Sequence, residues 1–484
     1  MEKLIALFST AIVFLQGIFL GLPCLPAQTI TVDPAVRYQQ FEGWGTSGAW
    51  WAQMVGGGAQ EEFVAKALFD DEEGLGLDIY RCNLGGGEHE NPNTRIWDYN
   101  RKTESFYVWD ANQGKYVMDF SRDAKARSMM DAAIAAGATK IILFCNSPHF
   151  SMTRSGHASG GLEEKVSNLP RENYQQFVDY VLDSADYFVS QGYPIVAVSP
   201  MNEPQWGWGG GWVGQEGCHY TPQEAIERLE LFAVNMKQRG VSYSLNGVES
   251  GQMSDAFFEW QELFFKSEIL GEYCDTFSGH SYWMDNDLPH KYLQGKRFAH
   301  AFPDKKFEMS EWCELPCLLD ANSIESALYM ANVIVQDLTL LNAVSWQSWV
   351  AVNGCGERDG AMVSDGLLRA HDWGCTDLAL NSRYHAYRHF TAHIGIGAQR
   401  ICLKNSFGSL SPIAGTAFRD GDKTVLVLVN NAEKDSDIKL RGLDGNMQII
   451  TTDAAESYTE RYNGAAKAAH TLPAKSITTI ICNG

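Results

Sequence analysis

The sequence predicts an α/β fold class, a (β/α)8 TIM barrel followed by a C-terminal β-sandwich side domain. Three observations predict it. Eight short apolar runs between residues 41 and 350 alternate with longer amphipathic stretches, which is the pattern of a βα repeat. Long insertions follow the second, fourth and eighth runs, and after about residue 388 short alternating strands replace the helices. In such a barrel the functional side chains should collect at the carboxyl ends of the strands.

The strand candidates of the barrel occupy residues 41–45, 77–83, 140–146, 195–204, 241–250, 275–283, 305–312 and 343–350. The clearest helix between them is 173–190, whose apolar residues recur on one face. Another helix begins at Thr221, where Pro222 and Glu224 complete a capping box. The predicted barrel therefore covers residues 41–388.

The side domain is predicted from the runs 424–430, 447–453 and 476–484, which alternate apolar and polar residues between polar turns. We assign residues 389–484 to it. The segment 28–40 is also strand-like, and we expect this N-terminal strand to join the sandwich, so that both ends of the mature chain meet in one domain.

The first 27 residues resemble a secretory signal peptide. Apolar residues run from Leu4 to Leu22, and the small residue Ala27 precedes Gln28, where we expect cleavage. An uncleaved membrane anchor and a lipoprotein modified at Cys24 are the weaker alternatives. We predict an exported protein, in the periplasm, at the cell surface or outside the cell, with no membrane attachment after cleavage.

The composition of the 484 residues limits the partners. A formal net charge of −21 disfavours nucleic acid and anionic lipid surfaces. An aromatic content of 12% exceeds what a core needs and favours clefts that stack on flat ligand faces such as those of sugars. Ten cysteines remain after cleavage, and we expect buried free thiols at Cys82 and Cys145. No metal and no cofactor are predicted, and no oligomeric state.

Two carboxylates end predicted barrel strands. Glu203 follows strand four in the sequence Met-Asn-Glu-Pro, and Glu311 ends strand seven. Strands of a closed barrel converge, so the two side chains can face one another, and carboxyl groups about 5 Å apart are what retaining glycoside hydrolysis requires. Glu308 is the nearest rival, but strand alternation should turn it to the opposite face. Glu249, which ends strand five, is either a third active-site carboxylate or half of a structural ion pair.

Eight short segments match the pattern of a known family. They are Phe41–Ser47, Ala49–Ala52, Arg81–Gly87, Asn146–Pro148, Asn168–Leu169, Met201–Pro204, Gln215–His219 and Met309–Glu311. Through them the chain resembles glycoside hydrolase family 30 over nearly its whole mature length, and within that family it is most similar to the endo-β-1,6-galactanase-like subfamily. Two residues depart from the pattern: Gly48 stands where leucine is expected, and Trp312 stands where a smaller aromatic residue is usual. We expect both to affect the shape of the subsites.

The resemblance implies that Glu203 is the general acid/base and Glu311 the nucleophile. It implies further that Asn202 binds the sugar 2-hydroxyl, and that Arg81 and Tyr282 orient Glu311. The remaining expected substrate-binding residues are Trp50, Trp51, Trp206, Trp349, Asn146, His280 and Glu249. Trp208, Trp212 and Trp346 are further candidate platforms for sugar rings, and the Gly-rich run 206–212 is the strongest case because it cannot easily bury three indoles.

The expected function is retaining hydrolysis of β-1,6-linked galactose chains, such as arabinogalactan side chains, through a galactosyl-Glu311 intermediate. The partner is therefore a polysaccharide or oligosaccharide substrate. Two alternatives stay open at this point. One is the same chemistry on β-1,6-glucan, a glucosylceramide-like lipid or glucuronoxylan. The other is a carbohydrate-binding protein without catalytic activity.

Overall fold

The computed structural model describes residues 27–211, 213–285, 287–371 and 377–483. The expected signal peptide, apart from Ala27, and Trp212 lie outside the described residues. Within the described ranges no helix is both long and apolar enough to cross a membrane.

Twenty-five strands follow one another along the described chain. They are β1 (Gln28–Gln40), β2 (Gly43–Ser47), β3 (Ile79–Asn83), β4 (Tyr107–Asp110), β5 (Lys115–Met118), β6 (Lys140–Phe144), β7 (Ile195–Ser199), β8 (Ser244–Leu245), β9 (Val248–Ser250), β10 (Thr276–His280), β11 (Lys306–Trp312), β12 (Ser345–Ser348), β13 (Val352–Gly354), β14 (Gly356–Arg358), β15 (Ala361–Val363), β16 (Leu368–Ala370), β17 (Leu378–Leu380), β18 (Gln399–Asn405), β19 (Ile413–Asp420), β20 (Lys423–Asn430), β21 (Ser436–Arg441), β22 (Asn446–Thr452), β23 (Thr459–Ala465), β24 (Ala469–Leu472) and β25 (Ser476–Asn483).

The α-helices of the same ranges are α1 (Ala52–Val55), α2 (Glu61–Phe69), α3 (Ala124–Ala136), α4 (Tyr174–Ser190), α5 (Pro222–Arg239), α6 (Asp255–Lys266), α7 (Glu268–Tyr273), α8 (Leu288–Ala301), α9 (Ile324–Leu340) and α10 (Ser382–Thr391). Short 3₁₀ turns occupy Tyr99–Arg101, Phe150–Met152, Arg171–Asn173 and Gly408–Leu410. The predicted capping box is confirmed: the Glu224 amide donates to the Thr221 hydroxyl, and the Thr221 amide donates to the Glu224 carboxylate.

The barrel is a parallel sheet in the order β8-β7-β6-β3-β2-β12-β11-β10-β9. Its two outer members, β8 and β9, are consecutive pieces of the fifth barrel strand, interrupted at Asn246–Gly247. Because β8 pairs with β7 and β9 pairs with β10, this broken strand closes the ring. The strands are almost wholly buried, as parallel strands covered by helices must be. All eight predicted barrel strands are confirmed.

The side domain is a nine-stranded sheet in the order β23-β22-β25-β20-β19-β18-β1-β21-β24. Ile438 in β21 and Ile449 in β22 lie near opposite ends of that order, yet both belong to one apolar core, so the sheet folds over into a sandwich. The N-terminal strand β1 pairs with β18 and β21, as the sequence predicts. Successive residues of β20 divide between two cores: Leu426 points into the sandwich, while Val427 packs in the core of the barrel.

The two domains meet through the helix α10. This helix runs across the expected domain boundary at residue 388, and the next strand of the sandwich begins at Gln399. His389 of α10 is fully buried, and its two ring nitrogens lie 2.8 Å from the hydroxyls of Thr479 and Thr452 in the sandwich. These contacts bind the sandwich directly to the last helix of the barrel.

Candidate active site

A cleft lies at the carboxyl ends of the barrel strands. Its walls come from the insertions after strands two, four and eight, with further residues after strands one, six and seven. The lining residues are Ala49, Trp50, Asp98, Asn100, Arg101, Asn202, Glu203, Trp206, Trp208, Gln215, Tyr282, Trp283, Glu311, Cys313, Leu315, Trp349, Val350, Val352, Asn353 and Asp365. The two strand-end carboxylates of the sequence analysis therefore share one cleft.

The backbone at Glu203 and at Glu249 has an unusual conformation, which orients their side chains. Their φ angles are 44° and 56°, in the left-handed region that side chains other than glycine rarely adopt. The Glu203 amide donates to the Glu249 carbonyl at 2.9 Å, which joins the ends of barrel strands four and five. Strain of this kind costs about 1–3 kcal/mol per residue and clusters at functional sites.

Glu311 is held by two donors, one on strand β3 and one just after strand β10. The Arg81 guanidinium donates from Nη1 to Oε2 of Glu311 at 2.5 Å, and the Tyr282 hydroxyl donates to Oε1 at 3.1 Å. Arg81 also donates from Nη2 to Oδ1 of Asn202 at 2.9 Å. Burial raises the pKa of Glu311, and the positive charges of His280 and Arg81 oppose that rise. The arrangement presents an oriented carboxylate to the cleft.

His280 connects three carboxylates. Its Nδ1 lies 3.0 Å from Oε1 of Glu203 and 3.6 Å from Oε1 of Glu311, and its Nε2 lies 3.2 Å from Oε2 of Glu249. Burial disfavours the charged ring, but the three surrounding carboxylates outweigh it and raise the pKa of His280 to about 10. At neutral pH the ring is therefore an imidazolium that donates from both nitrogens.

Glu249 lies beneath the cleft and does not line it. Its carboxylate accepts hydrogen bonds from Ser199 at 2.7 Å and from Ser310, and it lies 3.7 Å from Nη2 of Arg81. Burial opposes its charge, but Arg81, His280 and Ser310 outweigh burial and lower the pKa of Glu249 to about 2. Of the two roles left open by the sequence, the position of Glu249 favours the structural ion pair.

The prediction that Glu308 faces away from Glu311 was wrong. Glu308 accepts hydrogen bonds from Ser278 at 2.6 Å, from Ser345 at 3.0 Å and from Asn246, all inside the barrel. Glu311 also faces the interior, because the register between β10 and β11 shifts by one residue just before it. The shift breaks the alternation on which the prediction depended. Glu308 lies deeper than the cleft, and burial raises its pKa to about 7.

The expected tryptophans separate into two groups. Trp50, Trp206 and Trp349 line the cleft, and the rings of Trp50 and Trp349 pack edge to face at 5.3 Å. Trp51 is fully buried and donates its indole N–H to the Ser47 carbonyl at 2.7 Å, so it is a core residue. Trp346 is likewise buried, with its indole bonded to Asp337. Neither of these two can contact substrate in this structure.

Two asparagines were expected to bind substrate. Asn202 lines the cleft next to Glu203. Asn146 is 2% exposed, makes a long 3.4 Å hydrogen bond to Asn83 and is not among the cleft residues. Direct contact with a sugar therefore fits Asn202 and does not fit Asn146.

Sequence reasoning missed several polar cleft residues. Arg101 lies over the Trp50 ring at 4.7 Å, and its Nε is 3.5 Å from the Asp98 carboxylate. Gln215 accepts from Arg101 at 3.3 Å, and in the insertion after strand eight Asp365 accepts from Asn353. These residues lie in long insertions, where no strand end marks them, and Gln215 falls in a segment that matches the family but was given no role. For Arg101 and Asp98 the sequence indicated only that they lie in the insertion after barrel strand two, at the functional end of the barrel.

The two departures from the family pattern have different physical meanings. A Cβ on Gly48 would lie 2.3 Å from the hydroxyl oxygen of Tyr80, so the glycine makes room for that ring. Trp312 is 1% exposed, packs against Tyr329 at 5.6 Å and donates to Asp285. Trp312 therefore points away from the cleft, and the expectation that it shapes a subsite was wrong.

Glu203, His280 and Glu311 each place one potential ligand atom within 4.8 Å of the other two, which is close enough to hold a metal ion. The chemistry of this set does not suit one. Both nitrogens of His280 face carboxylate oxygens, and a protonated imidazole has no lone pair for a metal. The trio fits proton and covalent chemistry better than coordination.

The chain is similar to several known proteins. The family model described as O-Glycosyl hydrolase family 30 matches residues 27–363. An endo-β-1,6-galactanase of Hypocrea rufa is 25% identical over 90% of this chain and 85% of its own length. An exo-β-1,6-galactobiohydrolase of Bifidobacterium longum subsp. longum is 27% identical over 37% of this chain, which spans 15% of that protein. A conserved exported protein of Bacteroides fragilis has a similar structure, with a TM-score of 0.82 at 22% identity, over 94% of this chain and all of that one.

Proposed function

The chain belongs to O-glycosyl hydrolase family 30 and is a glycoside hydrolase, and from this premise we propose that it cleaves β-1,6-galactosidic linkages with retention of configuration. The observation that carries the mechanism is the carboxylate pair. One oxygen of Glu203 and one of Glu311 lie within 4.8 Å of each other in the cleft. Retaining enzymes hold their two carboxyl groups about 5–5.5 Å apart, whereas inverting enzymes need a wider gap for water.

In the first step Glu311 attacks the anomeric carbon, and the bond to the leaving oxygen breaks. Arg81 and Tyr282 hold both oxygens of Glu311, so the carboxylate approaches in one orientation. Glu203 gives its proton to the leaving oxygen. The product of this step is a galactosyl ester of Glu311 and a shortened glycan.

In the second step Glu203 takes a proton from water, the water oxygen bonds to the anomeric carbon, and the ester bond to Glu311 breaks. His280 favours this exchange of roles. While Glu311 is esterified it carries no charge, and the proton on Nδ1 of His280 then serves Glu203 at 3.0 Å, which stabilises the ionised base. When Glu311 is released from the ester, its Oε1 atom, 3.6 Å from Nδ1 of His280, interacts with the same imidazolium.

Asn202 is positioned to recognise the sugar beside these carboxylates. Its side-chain oxygen is occupied by Arg81, which leaves the amide N–H groups to donate toward the cleft. We assign that donor to the 2-hydroxyl of the sugar, where a hydrogen bond that strengthens in the transition state lowers the barrier.

The choice of β-1,6-galactan is supported by the Hypocrea rufa galactanase, whose similarity covers most of both chains. The charge of the cleft disfavours glucuronoxylan. Of the described residues that line it, Arg101 is the one cation, and Asp98 at 3.5 Å already neutralises it. A uronate would also meet Glu203, Glu311 and Asp365 without a free positive charge. A neutral β-linked chain fits this cleft.

Export of the mature chain is a further part of the proposal. It is supported by the apolar leader of the sequence and by the large size of the polysaccharide substrate, which is met outside the cytoplasm. N-terminal sequencing of secreted protein should begin at Gln28.

Product analysis tests the function. Purified residues 28–484 are given β-1,6-galactan, β-1,3-galactan, β-1,6-glucan and glucuronoxylan, and the first anomer released is followed by NMR. We expect galactose or galacto-oligosaccharides of β configuration from β-1,6-galactan alone. A first product of α configuration contradicts the retaining mechanism. Cleavage of another glycan keeps the mechanism and changes the substrate, and binding of β-1,6-galactan without turnover contradicts the proposed reaction.

A further inference from the structure

We propose that the insertion after the second barrel strand carries a second polysaccharide-binding groove, next to the catalytic cleft. This inference rests on the proposed polysaccharide substrate. The insertion spans residues 84–123 and contains the hairpin β4–β5. The groove lies between this hairpin and the loop 149–156, and none of its residues lines the cleft.

The groove has an aromatic floor. The rings of Tyr107 and Tyr116 stack at 5.2 Å with 13° between their planes, and Trp109 meets Tyr116 edge to face at 5.3 Å. His149 packs against Tyr116 at 5.4 Å and against Phe150 at 4.4 Å. The contacts fix these rings in place. An ordered aromatic surface of this kind stacks on the apolar faces of sugar rings at little entropic cost.

The rim of the groove supplies hydrogen-bonding groups. Asn93 is exposed there, and Ser151, Thr153 and Asp119 add hydroxyl and carboxylate oxygens. Arg122 is the one cation among the described groove residues, and it is bonded to Glu90. The charge of Asp119 is not balanced by a cation of the groove, so the groove is slightly acidic. An acidic groove disfavours nucleic acid, uronate polymers and anionic lipid. A neutral polyhydroxylated chain is the ligand class that suits it.

The same insertion carries large exposed aromatic rings. Trp97, Tyr99 and Trp109 are 54%, 64% and 57% exposed, all on this one insertion. Clustered exposure of large rings on a folded surface marks an interaction site. Tyr99 stands between the cleft residues Asp98 and Asn100, and its hydroxyl lies 3.0 Å from Nε2 of His89, beside the groove.

The spacing allows one ligand to occupy both sites. Asn93 lines the groove and Asp98 lines the cleft, and five residues of chain span at most about 18 Å. A single galactan chain can therefore lie in the cleft while a more distant part of it, or a neighbouring branch, rests on the groove. The groove would retain the enzyme on polymer between cleavage events.

Native gel electrophoresis through soluble β-1,6-galactan tests the groove, with Glu311→Gln as the parent so that the polymer survives. We expect Trp109→Ala and Tyr99→Ala each to weaken retardation about twofold to tenfold, the range of one aromatic contact. Tyr292→Ala is the matched control, since Tyr292 is 50% exposed on α8, outside the insertion, and should leave retardation unchanged. With Glu311 intact, Trp109→Ala should lower the ratio of kcat/KM on polymer to kcat/KM on a trisaccharide.

Unchanged retardation of Trp109→Ala overturns the groove. The proposal is also overturned if sedimentation shows that the parent self-associates and that Trp109→Ala abolishes this association. The exposed rings would then form an interface between copies of this chain. Failure of the proposed function looks different: the active enzyme would neither cleave nor bind β-1,6-galactan. The variants are then compared on the glycan of the panel that is cleaved, where equal affinity of parent and Trp109→Ala again overturns the groove.

Discussion

Nδ1 of His280 lies 3.0 Å from the Oε1 atom of Glu203, the proposed acid/base. The same nitrogen is 3.6 Å from Oε1 of Glu311, so one proton donor serves both carboxylates of the proposed reaction. The imidazolium is itself held from below by Glu249 at 3.2 Å. The proposed catalytic pair therefore belongs to a buried charge network of Glu203, Glu249, His280 and Glu311.

Glu311→Gln should lower kcat by roughly 10⁴-fold or more, because an amide cannot form the glycosyl ester. Glu308→Gln is the matched control. It makes the same change on the same strand, at a buried residue outside the cleft, and should keep kcat within about tenfold. The measurement is kcat of both variants and of the wild type on β-1,6-galactan. Comparable losses in both variants would mean that Glu311 acts through folding.

His280→Gln should move the acid limb of the kcat/KM profile to higher pH. The cation of His280 lowers the pKa of Glu311 against the effect of burial, so removing it raises that pKa and delays ionisation of the nucleophile. Initial rates between pH 3 and 9 measure the shift. His300→Gln, on the exposed side of α8, should leave the profile in place. If the acid limb of His280→Gln does not shift, the cation of His280 does not control the ionisation of Glu311.

Glu249→Gln should destabilise the fold at pH 7 by about 3–5 kcal/mol, since Arg81 and His280 lose a buried counter-charge. The folded-state pKa of Glu249 is lowered to about 2 from 4.5, so its stabilisation is present above pH 4.5 and lost as the pH falls through 2. The Tm difference between wild type and variant should shrink over that window. In the exposed control Glu62→Gln the Tm should follow wild type at every pH.

Trp206→Ala and Trp51→Ala should fail in different ways. Trp206 lines the cleft, so its loss should raise KM about twofold to tenfold and leave the Tm nearly unchanged. Trp51 is fully buried, and its loss should cost about 3–5 kcal/mol of stability through the cavity it leaves. Kinetics and thermal unfolding of both variants check this. A raised KM with an unchanged Tm in Trp51→Ala would show that Trp51 binds substrate and is not a core residue.

Gly48→Ala should destabilise the protein by about 1–3 kcal/mol, because the new Cβ would lie 2.3 Å from the Tyr80 hydroxyl and the ring is buried. Gly356→Ala is the control, since its new Cβ meets only Val363, at an ordinary 3.7 Å. Thermal unfolding distinguishes the two. Equal Tm values would show that the Tyr80 ring moves aside freely.

Much of this molecule follows from local sequence pattern. The eight barrel strands, the Thr221 capping box and the strand β1 in the sandwich were all predictable, because period, caps and turn residues act over a few residues. The places of Glu203 and Glu311 followed as well, since a parallel barrel always brings the carboxyl ends of its strands together.

Other features depended on tertiary structure. The register shift before Glu311 turns Glu308 and Glu311 to the same side, and no pattern in the strand announces it. Which of the two adjacent tryptophans faces the cleft depends on distant packing: Trp50 lies edge to face with Trp349 at the cleft, whereas Trp51 packs against Tyr80 in the core.

By itself the sequence determined the fold class, the order of its elements and the two strand-end carboxylates, because these depend on local periodicity and barrel geometry. Only the tertiary structure decided which tryptophans line the cleft, how His280 joins three carboxylates, and where the insertion 84–123 places its aromatic rings. Contacts between residues tens or hundreds of positions apart set those features. Such contacts exist only once the whole chain has packed.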